Sequence, residues 1–248
     1  MTVLLDCRPR EAYDIGHLPG AVHVDPERDL SAPVTDPAVG GRHPLPSPDA
    51  LAALFGAAGI DETAFVLAYD EGTGWAARCW WLLRHLGHDA CGTFDLRTYH
   101  GPNLRGGAGN ACVEVTQALS RPPPERATFV PRVRTDDIVD AEEIRARLDD
   151  STLVVLDARS QERWRGDAEP LDPVAGRIPG ARNAFFEEPL PPGANEPPEV
   201  VAYCGSGVTA CVVVQRLVAA GRNDARLYPG SFSEWCRDPS NPIEKGTP

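Results

Sequence analysis

The sequence predicts an α/β protein made of two tandem copies of one unit, each a parallel sheet flanked by helices on both faces. Three observations carry the prediction. A short apolar run closed by an acid occurs twice, as Val3-Leu-Leu-Asp6 and as Val154-Val-Leu-Asp157. Phe65-Val-Leu-Ala-Tyr-Asp70 is answered by Glu199-Val-Val-Ala-Tyr-Cys204, and the spacing from Asp70 to Gly87 equals that from Cys204 to Gly221. Within each copy, short apolar strands alternate with amphipathic or apolar helices, the pattern of a parallel sheet covered on both sides.

The elements follow in order. Residues 3–6 read as a buried strand, followed by Arg10-Glu-Ala-Tyr13 and the turn His17-Leu-Pro-Gly-Ala21. The long middle from Asp25 to Ala64 holds Gly40-Gly-Arg-His-Pro-Leu-Pro46 and a helix around Pro48 to Ala58. A loop of that length is usually functional or mobile. The strand ending at Asp70 precedes a glycine-containing loop and an apolar helix in which Trp80 and Trp81 read as core. Leu119-Ser-Arg-Pro-Pro-Pro-Glu-Arg-Ala-Thr128 is proline-rich, so the expected division is a first domain at 1–118, a linker at 119–135 and a second domain at 136–248. Asp136 or Asp137 is expected to open a helix running through Ile138 to Leu148. In the second copy the strand at 154–157 leads to Gln161-Glu-Arg-Trp164 and Arg177-Ile-Pro-Gly-Ala181. The strand Pro198 to Ala202 then delivers Cys204 to a loop, and a helix runs from Ala210 to its stop at Gly221.

At 248 residues the chain is long enough for two cores. A formal charge of −12 argues against nucleic acid or an anionic membrane as partner. No stretch is apolar for long enough to span a bilayer, and the first residues lack a signal peptide's basic flank, so the expected address is the cytoplasm. Seven irregularly spaced cysteines without a Cys-x-x-Cys pair are neither a disulfide framework nor a zinc site. His17 and His23 have no cluster of ligands beside them and are read as orienting turns.

The chemistry centres on Tyr203-Cys-Gly-Ser-Gly-Val-Thr-Ala210. A cysteine at a strand end, on a glycine-bearing loop with a helix start behind it, meets inward backbone amides and the positive helix end. Such a place favours a thiolate and binds anions. Cys211 falls inside the apolar helix run and reads as core rather than as a resolving thiol. The first copy has Asp70 where the second has Cys204, and a carboxylate can neither carry nor attack sulfur, so at most one copy is active. A cysteine phosphatase needs a cation near the end of the loop, and no arginine follows Cys204 there. A cysteine hydrolase needs a histidine base, yet all six histidines fall in residues 1 to 100. Sulfur transfer asks for the least apparatus: a thiolate, and amides to hold its persulfide.

Cys204-Gly-Ser-Gly-Val-Thr-Ala210 resembles the active loop of the two-domain rhodanese superfamily, in the version typical of 3-mercaptopyruvate sulfurtransferases; thiosulfate-preferring members usually carry basic residues at the positions of Gly205 and Ser206. Tyr13-x-x-x-His17-Leu-Pro-Gly-Ala21 and Tyr228-Pro-Gly-Ser-Phe-x-Glu234-Trp235 are similar to the family's N- and C-terminal signatures. The resemblance implies two rhodanese-like domains, catalytic in the second, with Cys204 as the persulfide-forming nucleophile. It implies loop amides of Gly205, Gly207, Val208 and Thr209 as the cradle of the charged sulfur, and Arg163 as the group that reaches the donor's anion. Ser206 matches a loop serine that works with a histidine and an acid from the first domain; His43 matches the histidine, and Asp25 or Glu27 the acid. It implies a small anionic sulfur donor, an acceptor that is cyanide, a thiol or a dithiol protein, and no metal or organic cofactor. A non-catalytic persulfide carrier or protein-binding module is the alternative. Two positions depart from the family pattern: Leu171 stands where a second arginine is expected, and Arg177 where histidine is usual. Trp235 is expected to pack near the loop and to form one wall of the pocket.

Overall fold

The computed structural model describes residues 1–98 and 124–247. The chain divides into two compact units, Met1–Ala32 with Pro46–Arg134, and Pro33–Leu45 with Thr135–Pro248. Cys112, the junction expected at 118 and 119, and the first part of the linker lie outside the described residues.

The first unit holds a four-stranded parallel sheet in the order β2-β1-β3-β4, formed by β1 (Thr2–Asp6), β2 (Val22–His23), β3 (Phe65–Asp70) and β4 (Cys91–Asp95). The second repeats it as β6-β5-β7-β8, from β5 (Leu153–Asp157), β6 (Arg182–Asn183), β7 (Glu199–Tyr203) and β8 (Arg226–Leu227). Helices flank both sheets. The central strands are buried apolar runs because helices cover a parallel sheet on both faces; Val3, Leu4 and Leu5 are each at most 1% exposed.

The duplication reaches single hydrogen bonds. Asp6 holds the Arg8 guanidinium at 2.7 Å and accepts the Tyr69 hydroxyl at 2.7 Å, while the Leu18 N–H donates to that hydroxyl. In the second copy Asp157 holds Arg159 at 2.6 Å and accepts the Tyr203 hydroxyl, to which the Ile178 N–H donates. Arg8 donates onward to the Gly16 carbonyl and Arg159 to that of Gly176, each at 2.7 Å. These buried charges are tolerated because each is paired and hydrogen-bonded.

Two expectations are corrected. The helix that opens the second copy spans Ala141–Ala146, because the Asp140 side chain accepts the Glu143 N–H and caps it there. Ile138 lies instead in a bridge with Leu227, the flanking N–H groups of Val139 and Leu227 closing the pair. Trp235 is fully buried among core residues, packs edge-on against Tyr228 and donates its indole N–H to the Pro242 carbonyl, so it is core and not a wall of the site. Trp80 and Trp81 are buried as expected. His17 and His23 bond the carbonyls of Tyr13 and Arg8, as turn-orienting groups would. Arg177 is buried over the Trp164 ring and paired with Glu244.

The tract Pro33–Leu45 belongs to the second unit although it falls inside the expected 1–118 domain. The Gly40 N–H bonds the Glu234 carboxylate at 2.7 Å, the Arg42 N–H bonds Ser233 Oγ at 3.0 Å, and the Arg42 guanidinium pairs with Asp172. Gly41 has φ +75°, and a methyl group on it would lie 2.4 Å from the Gly230 carbonyl oxygen. Only glycine permits that approach.

Candidate active site

Cys204 follows β7, and the loop 204–209 feeds the helix Ala210–Ala219. The loop's orientation is set by the segment around Ser231, whose N–H groups take the loop carbonyls. Phe232 N–H donates to the Cys204 carbonyl and Ser233 N–H to that of Gly205, while Ser231 Oγ accepts the Cys204 N–H at 3.1 Å. Ser231 adopts φ +54° in this bend, rare for a residue with a side chain. A trans peptide points its N–H opposite its carbonyl, so the amides of Gly205 and Ser206 face away from residues 232 and 233. The Gly207 N–H donates to Cys204 Sγ at 3.1 Å. Gly207 reaches this pose at φ +79°, with Pro229 so close that a methyl group would lie 2.3 Å from its carbonyl oxygen.

Cys204 is 2% exposed, at the carboxyl end of the sheet, where ligands bind in such folds. Val208 is buried, and its carbonyl and that of Thr209 accept the N–H groups of Cys211 and Val212 to start the helix. Cys211 is fully buried and donates its thiol to the Gly207 carbonyl, as a core residue would.

His43 Nδ1 lies 2.7 Å from Ser206 Oγ, so the structure brings together two residues 163 positions apart. Asp25 belongs to the first unit. There its Oδ1 accepts the N–H groups of Glu27 and Arg28, and its Oδ2 pairs with the Arg28 guanidinium.

Arg163 bonds Glu169 through Nη2 at 2.7 Å and Nε at 3.1 Å. Burial pushes the Glu169 carboxyl up, but Arg163 and the N–H groups of Leu171 and Asp172 outweigh it, and the carboxyl sits below its ordinary range. A methyl group on Gly205 would lie 3.3 Å from both terminal nitrogens of Arg163 and 3.0 Å from Arg42 Nη2. Arg163 therefore stands over the loop, and Arg42 stands with it, a residue the sequence reading did not single out. Its only sequence signal was its place beside His43. Leu171 is 59% exposed.

In the first unit the corresponding loop wraps Asp70. Its Oδ1 accepts the Gly72 N–H at 2.9 Å, and its Oδ2 accepts the Thr73 hydroxyl at 2.9 Å and the Ala76 N–H at 3.1 Å. The amides meet a carboxylate where the second unit offers them a sulfur. Chemically, the second loop can present a thiolate to a donor and hold an anionic sulfur, with a serine-histidine pair to move a proton beside it. Among the described residues no His, Cys, Asp and Glu gather as a metal site, and no helix is long and apolar enough to cross a membrane.

Known proteins share this frame. The rhodanese-like domain family matches twice, over residues 1–96 and 140–238. A probable 3-mercaptopyruvate sulfurtransferase of Pseudomonas aeruginosa is 41% identical across 98% of this chain and 92% of its own length. A putative thiosulfate sulfurtransferase, SseB, of Mycobacterium tuberculosis is 36% identical across 95% of this chain and 86% of its own. The crystal structure of a probable thiosulfate sulfurtransferase is 30% identical, with a TM-score of 0.62, covering 98% of this chain and 97% of that one. With the matched domains repeated along the chain and a cysteine cradled at the carboxyl end of only the second sheet, the chain belongs to the rhodanese superfamily and is a tandem-domain sulfurtransferase.

Proposed function

We propose that this sulfurtransferase takes sulfur from 3-mercaptopyruvate in preference to thiosulfate and passes it, through a persulfide on Cys204, to cyanide, a small thiol or a dithiol protein in the cytoplasm. The observation that carries the reading is the His43–Ser206 contact beside the cradled sulfur. The Cys204 thiolate attacks the donor's sulfur, the S–C bond breaks, and the electron pair leaves on the pyruvate enolate. Ser206 Oγ–H, with His43 behind it, holds and protonates the developing enolate, a service that a sulfite leaving group does not need. The donor's thiol hydrogen is thereby balanced by the methyl hydrogen of pyruvate. The persulfide's negative terminal sulfur rests on the loop amides from Gly205 to Thr209. A nucleophile then attacks that sulfur, leaves as thiocyanate or a new persulfide, and returns Cys204 as thiolate. Asp25 or Glu27 is assigned as the acid that orients His43, and comparison of Asp25→Asn with Glu27→Gln separates them.

Two measurements test the reading. Intact mass after donor treatment should rise by one sulfur atom in the wild type and stay unchanged in Cys204→Ser. Paired kcat/KM values with cyanide as acceptor should favour 3-mercaptopyruvate by tenfold or more. A thiosulfate preference would overturn the donor assignment, and no mass shift with any donor would point to a binding module.

A further inference from the structure

The approach to Gly205 is cationic from two separate parts of the sequence. Arg163 comes from the helix Gln161–Arg165, and Arg42 comes from the tract 33–45, which glycine 41 seats against Gly230. Two guanidiniums that would both touch one added methyl group repel each other unless an anion sits between them. Asp172 is that anion: its side chain is fully buried, it pairs with Arg42, lies 3.5 Å from Arg163 and is 3.1 Å from Arg237. Glu169, 2% exposed, ties Arg163 to Arg159, which is itself held by Asp157. In this ion-pair network four guanidiniums (Arg42, Arg159, Arg163 and Arg237) meet three buried carboxylates (Asp157, Glu169 and Asp172). One positive charge is left over.

We infer that Arg42 is the second donor-binding cation, acting with Arg163 to seat the carboxylate of a 2-oxo monoacid whose sulfur faces Cys204. The inference rests on the sulfurtransfer reading above and deepens it. Arg42 does from the tract 33–45 what Leu171, exposed and uncharged, does not do from its own position. The single surplus charge matches the one carboxylate of a 2-oxo monoacid. A methyl group at position 205 would press on both guanidiniums, which glycine leaves undisturbed. Arg42 is adjacent to His43, so one short tract brings the donor's anchor and the proton-handling histidine together.

The test uses the full chain carrying Arg42→Met, which keeps the stem and removes the charge, and Arg42→Lys, which keeps the charge. Loss of a charged hydrogen bond corresponds to about 10- to 100-fold in affinity. KM for 3-mercaptopyruvate should rise by about that factor in Arg42→Met, with kcat changed much less, and Arg42→Lys should recover part of it. Pyruvate is the second probe: its binding, read by titration calorimetry, should weaken by the same factor, and that reading needs no sulfur chemistry. Unchanged KM and pyruvate affinity in Arg42→Met would overturn the role of Arg42 while leaving sulfur transfer intact. A wild type that transfers sulfur from no donor would overturn the proposed function, and pyruvate binding would still decide for or against Arg42.

Discussion

His43 Nδ1 lies 2.7 Å from the Oγ of Ser206, two residues beyond the cysteine that Gly207 addresses through its N–H. Because pyruvate leaves as an enolate and sulfite does not, this pair should matter for one donor and hardly for the other. His43→Asn and Ser206→Ala are expected to lower kcat/KM for 3-mercaptopyruvate by about 10²- to 10³-fold, the usual worth of a placed acid–base group. The thiosulfate rate should fall by far less. Steady-state kinetics with both donors reads the difference, and equal losses would refute the assigned role.

Gly207 is required twice, once by its positive φ and once by Pro229. Gly207→Ala should destabilise the second unit by about 2 kcal/mol or more, and mass spectrometry should find little persulfide on Cys204. Urea unfolding measures the first effect. A variant as stable as wild type would mean that the loop has another pose available.

The Tyr203 hydroxyl is buried between an acceptor, Asp157, and a donor, the Ile178 N–H. Burial, with the Asp157 charge beside it, pushes this phenol up, so it stays protonated and donating. Tyr203→Phe leaves an N–H and a carboxylate oxygen short of a partner and should cost about 1–3 kcal/mol. Tyr69→Phe should cost a similar amount through Asp6 and Leu18, an internal replicate measured by the same denaturant titration.

Glu169 gives the pH dependence. Its carboxyl is held below its ordinary range in the folded chain, so it binds a proton less readily than when unfolded. Its contribution to stability is therefore complete above about pH 4.3, the ordinary glutamate value, and is lost as pH falls through the lower folded value. Glu169→Gln should be less stable at pH 7, by on the order of 3 kcal/mol, and the gap should narrow below pH 4. A gap that widened on acidification would reverse the assignment.

Much of this architecture was legible because it is local or repeated. Val3 to Asp6 and Val154 to Asp157 are strands in any reading of their apolar runs, and Gly205 and Gly207 announce a loop that turns amides toward Cys204. The helix start at Ala141 was missed because Asp136, Asp137 and Asp140 all resemble caps, and only the bridge from Ile138 to Leu227 excludes the earlier ones. Arg42 was missed for a different reason. Its partner Asp172 is 130 residues away and Gly205 lies further still. No periodicity connects them, and the buried ion pairs that assemble the cation site exist only once the tract 33–45 lies against the second unit's core.

The carboxylate of Asp70, gripped by Gly72, Thr73 and Ala76, bears on how the two halves diverged. The loop around Asp70 solvates a negative charge supplied permanently by its own side chain. Anion recognition is thus present in the half that has no thiol at this position, where the Asp70 carboxylate neutralises the inward-facing amides. In the other half the Gly207 N–H meets the Cys204 sulfur itself, and a persulfide's outer sulfur would extend onto the further amides of the loop. Sulfur loading should therefore tighten the molecule by engaging more of these amides, leaving the loaded state the more heat-resistant of the two.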